Sequence, residues 1–234
     1  MKIPSIISRQ RIGSILLLGV ASAGLLLTFG CNIVTPIAYA IEGPGQIDAE
    51  LVLEDRPTVV FVDDRSNLLS PITLRRDIAD TVSKELMKHA NLTVTIRPVD
   101  AMAVARRLDT NDEPMAIDRI AREVGAEQII YVQMLAWRRT PDGFTPRPTA
   151  ACSVQVIDAI DSEILYPPMV EGEGTARSGR TVQTMLQPLP ESAFESRAAI
   201  RQLQEALALE LGGEIAKLFY KHERIDLGGN LNSR

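Results

Sequence analysis

The first thirty residues constrain this chain more than any other part of it. Lys2, Arg9 and Arg11 supply positive charge without a single acid, and Ile12–Phe29 then runs 18 residues with no charge at all. As a helix that run would be about 27 Å long at 1.5 Å per residue, close to the ~30 Å hydrocarbon core of a bilayer. A basic start followed by an apolar stretch is the pattern of an export signal. Whatever follows is therefore expected to fold outside the cytoplasm.

Three fates are open to this leader. Gly30-Cys31 directly after the apolar run resembles a bacterial lipobox, in which the cysteine is acylated and becomes the first residue. Ala38-Tyr39-Ala40 offers an ordinary cleavage site that would release a soluble chain beginning at Ile41. Left uncut, the segment is a membrane anchor with its cationic end inside. A sulfur at the end of the run lies beside the membrane surface, where thioether acylation needs it, and favours lipidation at Cys31. Asn32 follows it; the absence of Asp there leans toward outer-membrane sorting by analogy with enteric bacteria. The expected organisation is a signal peptide over residues 1–30, a tether over 31–57, a folded domain over 58–222 and a polar tail over 223–234. A flexible tether of that length would reach roughly 30 Å.

Composition narrows the function classes. The net charge of −5 becomes −8 once the three leader cations are set aside, and an acidic body argues against nucleic acid. Ten aromatics in 234 residues are too few for base- or sugar-stacking platforms. Two cysteines, Cys31 and Cys152, make neither a disulfide framework nor a four-cysteine zinc site, and His89 and His222 are the sole histidines. No cofactor and no catalytic residue is expected.

Periodicity supplies the fold. Thr58–Val62 is a continuously apolar, β-branched run suited to a strand covered on both faces. Ser70-Pro71 reads as a helix cap and first turn, with Leu74, Ile78, Val82 and Leu86 forming one apolar stripe. Leu92–Ile96 alternates as a second strand; Asp100 would cap a helix over 101–108, and Pro114 would open another that stops at Gly125. Gln128–Trp137 is the longest strand candidate and should be central. Asp142-Gly143 marks a hairpin, followed by strands at Ala151–Ile157 and Glu163–Tyr166. Residues 169–190 read as a long loop with a weak strand near Thr181–Leu186, and Glu191–His222 as a helix. The order β-α-β-α-α-β-β-β-α implies an α/β three-layer domain with a mixed sheet.

The tracts IAREVGAEQIIYVQMLAW and ACSVQVIDAIDSEILY resemble a pattern in bacterial envelope domains. There a helix ending in glycine leads into an apolar strand, a second strand and a tight turn. The families are the TolB N-terminal domain, the curli-secretion lipoproteins and the lipoprotein activators of penicillin-binding proteins; the resemblance spans residues 57–222. It implies an exported, lipid-anchored binding or assembly role without chemistry. Pore formation is not implied, because 169–190 carries Glu171, Glu173, Arg177 and Arg180 and lacks the alternating apolar face of a barrel.

Among candidate sites, Asp63-Asp64-Arg65 lies where open α/β sheets place ligands and resembles the metal pocket of phosphoreceiver domains. The third Asp and the Lys of that pocket have no counterpart, so loop capping is expected; a periplasmic metal-dependent enzyme using Asp63 and Asp64 is the alternative. Gly172, Gly174 and Gly179 match no phosphate-binding spacing. Trp137, Arg138, Arg139, Phe144 and Arg147 flank the hairpin tip and are types enriched at binding hot spots. They are the expected surface for an envelope protein partner; in the alternative, a homo-oligomeric secretion or envelope machine, the 169–190 loop or the 138–149 hairpin would mediate self-assembly.

Overall fold

The structure is a computed structural model that describes residues 45–108, 116–144, 146–168, 179–190 and 194–224. In chain order its main unit contains β1 (Thr58–Asp63), α1 (Thr73–His89), β2 (Thr95–Ile96), α2 (Pro98–Leu108), α3 (Ile117–Glu123), β3 (Gln128–Arg138), β4 (Thr149–Asp158), β5 (Ile164–Tyr166), β6 (Arg180–Met185) and α4 (Arg197–Ala216), with a 3-10 turn at Lys217–Phe219. This unit runs from Asp48 to His222. Gly45–Ile47 and Glu223–Arg224 belong to a separate small unit, joined by the Arg224 N–H on the Gly45 carbonyl at 2.6 Å.

β1 is buried at every position, as its unbroken apolar run requires. It pairs in parallel with β2 on one side and β3 on the other. β3 pairs antiparallel with β4 from Gln128↔Asp158 to Arg138↔Thr149. The far side of β4 is shared, β5 pairing with its C-terminal half and β6 with its N-terminal half. One face buries Val60, Val62, Ile130, Val132, Cys152, Val154 and Val156 beneath α1 and α4. The other buries Val59, Phe61 and Ile129 beneath Ala101, Ala105, Ile120 and Ala121 of α2 and α3. The α/β class, the mixed sheet and the helices on both faces agree with the sequence expectation.

Several local expectations shift. α1 begins at Thr73 rather than at Pro71, and its cap residue Ile72 makes no side-chain capping bond. Residues 70–74 instead form a turn closed by the Leu74 N–H on the Pro71 carbonyl, with the Ser70 carbonyl taken by Gln204 of α4 at 2.9 Å. The second strand shrinks to Thr95–Ile96, because Leu92 is drawn into the core and Thr93 is held by Asp55. Asp100 lies inside the first turn of α2, where its carboxylate accepts from Arg97, rather than capping it. α4 is shorter than expected: Ser196 caps it by accepting the Ala199 N–H, and it gives way to the 3-10 turn after Ala216. Gly125, at φ +78°, ends α3 as expected. The strand suggested near residues 181–186 is formed, as β6. It lies close on β4 at its start, where a Cβ on Gly179 would stand 2.5 Å from the Ser153 hydroxyl. Cys31, Pro114, Glu171, Gly172, Glu173, Gly174 and Arg177 lie outside the described residues.

The largest correction concerns the tether. Residues 48–57 were expected to be linker, yet they are part of the main unit. Leu53 is buried, and the Glu50 and Leu51 N–H groups both donate to the Leu218 carbonyl. The Glu50 carboxylate accepts the Tyr166 hydroxyl at 2.5 Å and a fork from Arg180 at 3.0 Å. That fork holds the Glu50 carboxyl below its ordinary range; burial opposes the shift, and Tyr166 reinforces it.

Candidate partner-binding cleft

Strand alternation alone would place Trp137 on the α2/α3 side of the sheet, with Ile129 and Tyr131. A bulge intervenes: Met134 pairs with Cys152 and Ala136 with Ala151, so one residue on β3 has no counterpart. The extra residue reverses the alternation beyond it. Trp137, opposite Ala150, is thereby turned onto the α1/α4 face and packs against the main core, while Leu135 is left half exposed.

Trp137 meets the start of α4 there. Trp137, Arg138, Arg139 and Pro148 form one wall of a cleft of about 190 Å³, and Phe194, Ile200, Leu203, Gln204 and Leu207 form the other. The Arg139 guanidinium lies over the Phe194 ring at 5.4 Å from its centroid, a cation–π arrangement that leaves its N–H edge open. The Arg147 N–H on the Arg139 carbonyl, at 3.0 Å, closes the hairpin neck.

Of the five expected surface residues, the structure gathers three. Trp137, Arg138 and Arg139 line the cleft. Phe144 stands at the hairpin tip, 90% exposed, its N–H held by the Asp142 carboxylate at 3.0 Å. Arg147 points the other way, toward Met185 and Gln183, and does not line the cleft. The opposite wall was not expected. Phe194 and Ile200 lie more than fifty residues downstream, and the only local signal was an apolar stripe that any packed helix carries.

Asp63 and Asp64 act as loop fasteners. The Asp64 carboxylate accepts the Leu68 and Leu69 N–H groups at 2.8 and 2.9 Å and Arg75 at 3.3 Å. Asp63 accepts Arg65 at 2.8 Å and the Tyr131 hydroxyl at 2.7 Å. Burial and this neighbouring carboxylate push the Tyr131 phenol far above its ordinary value. Among the described residues no group of three or more metal-ligating side chains is present. Cys152 is buried in mid-strand, its thiol pushed up to about 12 by burial alone. A second, open cleft of about 680 Å³ lies between α3 and β5, lined by Ile117, Asp118, Ile157, Ser162, Glu163 and Ile164. Its Asp118 is already paired with Ser162 and Arg122, each at 2.7 Å.

No protein-family model matches the sequence, and no curated protein matches it. Solved structures do match, at low identity. They include the PelC dodecamer of Paraburkholderia phytofirmans, at 12% identity and a TM-score of 0.39 over 75% of this chain and 96% of that one. A lipoprotein of Neisseria meningitidis matches at 10% identity and a TM-score of 0.35 over 68% of this chain and 96% of that one. The LpoB C-terminal domain of Salmonella enterica matches at 12% identity and a TM-score of 0.33 over 65% and 93%.

Proposed function

We propose that this chain is a non-enzymatic module of the bacterial cell envelope, exported, anchored by acylated Cys31 and facing the periplasm, that works by binding another envelope protein. The leader and its closing cysteine support the address, and Asn32 supports the outer membrane over the inner. The cleft between Trp137 and Ile200 carries the binding reading, because it offers a largely apolar pocket with Arg138 and Arg139 on one wall. Against the enzymatic alternative stand Asp63 and Asp64, whose carboxylates already serve the chain's own donors, and a Cys152 thiol buried in the core.

Two measurements test the two halves. Cells fed an alkyne fatty acid should yield labelled protein, and the label should vanish in Cys31→Ala; an unlabelled wild type removes the anchor. Affinity capture from detergent-solubilised envelopes should retain a partner that Trp137→Ala releases, and a wild type that retains none ends the binding reading. Self-assembly is a second reading. It is favoured by the sheet face carrying Gln133, Leu135, Gln183 and Met185, which is exposed among the described residues. Sizing the detergent-solubilised protein decides it, since a monomer excludes a stable homo-oligomer.

A further inference from the structure

The cleft has a charge pattern unlike the rest of the chain. The hairpin and helix segments that form it, 137–149 and 194–207, hold five arginines against three acids, Asp142, Glu195 and Glu205, in a chain of net charge −5. Arg138 and Arg139 line the cleft. At 100° per residue, Arg197 borders the Ile200–Leu203–Leu207 face of α4, and Arg201 flanks it beside Gln204. Among the described residues, none of these four arginines is in an ion pair, although thirteen such pairs occur elsewhere. Asp142 lines the opposite side of the hairpin, and Glu205 lies farther round the helix than Arg201.

We infer that the cleft takes an acidic peptide segment, seating one large apolar side chain between Trp137, Phe194, Ile200 and Leu203 while flanking carboxylates meet Arg138, Arg139, Arg197 and Arg201. This rests on the binding reading above and names the chemistry of the partner. Size fits: a dry protein cavity of about 150 Å³ holds a benzene molecule, so about 190 Å³ accommodates one leucine or phenylalanine side chain. The forked guanidinium suits carboxylate, and Arg139 can accept one at its edge while staying on Phe194. An anionic bilayer is the poorer fit. The apolar surface of the cleft is concave rather than protruding, and Phe144, exposed at the hairpin tip, has the Asp142 carboxylate beside it.

Trp137 is the only tryptophan in the sequence, so its emission reports directly on the cleft of the full-length, detergent-solubilised protein. The probe is a synthetic peptide of glutamates around one central leucine. It should shift Trp137 emission saturably, and exchanging the leucine for glycine or the glutamates for lysines should abolish the shift. The exposed pair Arg138→Glu and Arg139→Glu should weaken binding about tenfold or more while the protein still melts cooperatively, and about 0.5 M salt should weaken the wild type. Equal binding of the glutamate and lysine peptides, or no binding of either, overturns the inference. So does a Trp137 response to phosphatidylglycerol vesicles without a response to the peptide. Envelope capture that depends on Trp137 alongside a silent peptide titration would sink the acidic ligand and leave the binding reading standing; loss of capture would sink that reading itself.

Discussion

Asp64 is 2% exposed, and both its carboxylate oxygens are occupied by N–H groups of the loop that follows β1. Replacing it with Asn keeps the shape but turns an acceptor into a donor aimed at other donors, and strips Arg75 of its charge partner. Asp64→Asn should cost about 2–3 kcal/mol in urea denaturation. Calorimetric titration of the wild type with Mg²⁺ or Mn²⁺ should stay flat. Cys152 gives the complementary case. With its thiol pushed up to about 12 by burial, it should resist a thiol reagent at mildly alkaline pH in the folded protein and react fully once denatured. Rapid labelling of Cys152 in the native state would show that β4 opens far more readily than its burial implies.

α1 and α4 cross where Gly212 faces α1. A Cβ there would lie 2.7 Å from Thr81 Cβ and 3.0 Å from the Ile78 carbonyl, whereas one on neighbouring Gly213 would meet nothing within 4 Å. Gly213→Ala should therefore stabilise by roughly 0.5–1 kcal/mol through helix propensity. Gly212→Ala should destabilise by about 1–3 kcal/mol through overpacking. Thermal melts of the two variants should move in opposite directions. Elements governed by strong local pattern were legible in the sequence: the apolar runs of β1 and β3, the α1 stripe, the Gly125 stop and the Asp142-Gly143 turn. Those decided by tertiary partners were not. Ser70-Pro71 has the chemistry of a helix start, but Gln204 and the loop held by Asp64 displace it. The bulge that turns Trp137 inward arises from register between β3 and β4, which no single strand encodes. Arg138 and Arg139 could be singled out by residue type beside the hairpin tip, whereas Arg197, Arg201 and the opposite wall could not. Glu50 was hidden among Gly-Pro punctuation, although Leu51-Val52-Leu53 beside it was an apolar signal for packing.

At the scale of the molecule, carboxylates set the response to acid. Glu50, Asp118 and Asp158 all titrate below their ordinary values. The Arg180 fork does this for Glu50 and the Ser162 hydroxyl for Asp118, each against burial. At Asp158 burial raises the value but is outweighed by the Asp161 and Ile160 N–H groups and Arg56. A group with a lowered folded value binds fewer protons folded than unfolded, so stability rises with pH across that interval. The three contributions should be complete above the ordinary carboxylate values of 4.5 and 3.8 and fade as pH falls through the folded values. Denaturation midpoints should hold steady near neutrality and drop on acidification below about pH 4.5. Glu50→Gln, at a partly exposed site, should lower the plateau by about 0.5–1 kcal/mol and soften that drop. The same residue has a mechanical meaning. Under the proposed anchor at Cys31, tension reaching the main unit would meet it near Glu50, where the Tyr166 hydroxyl, the Arg180 fork and the Leu218 carbonyl take hold together. Such a load would be divided among three separate stretches of polypeptide and would not unzip a single strand.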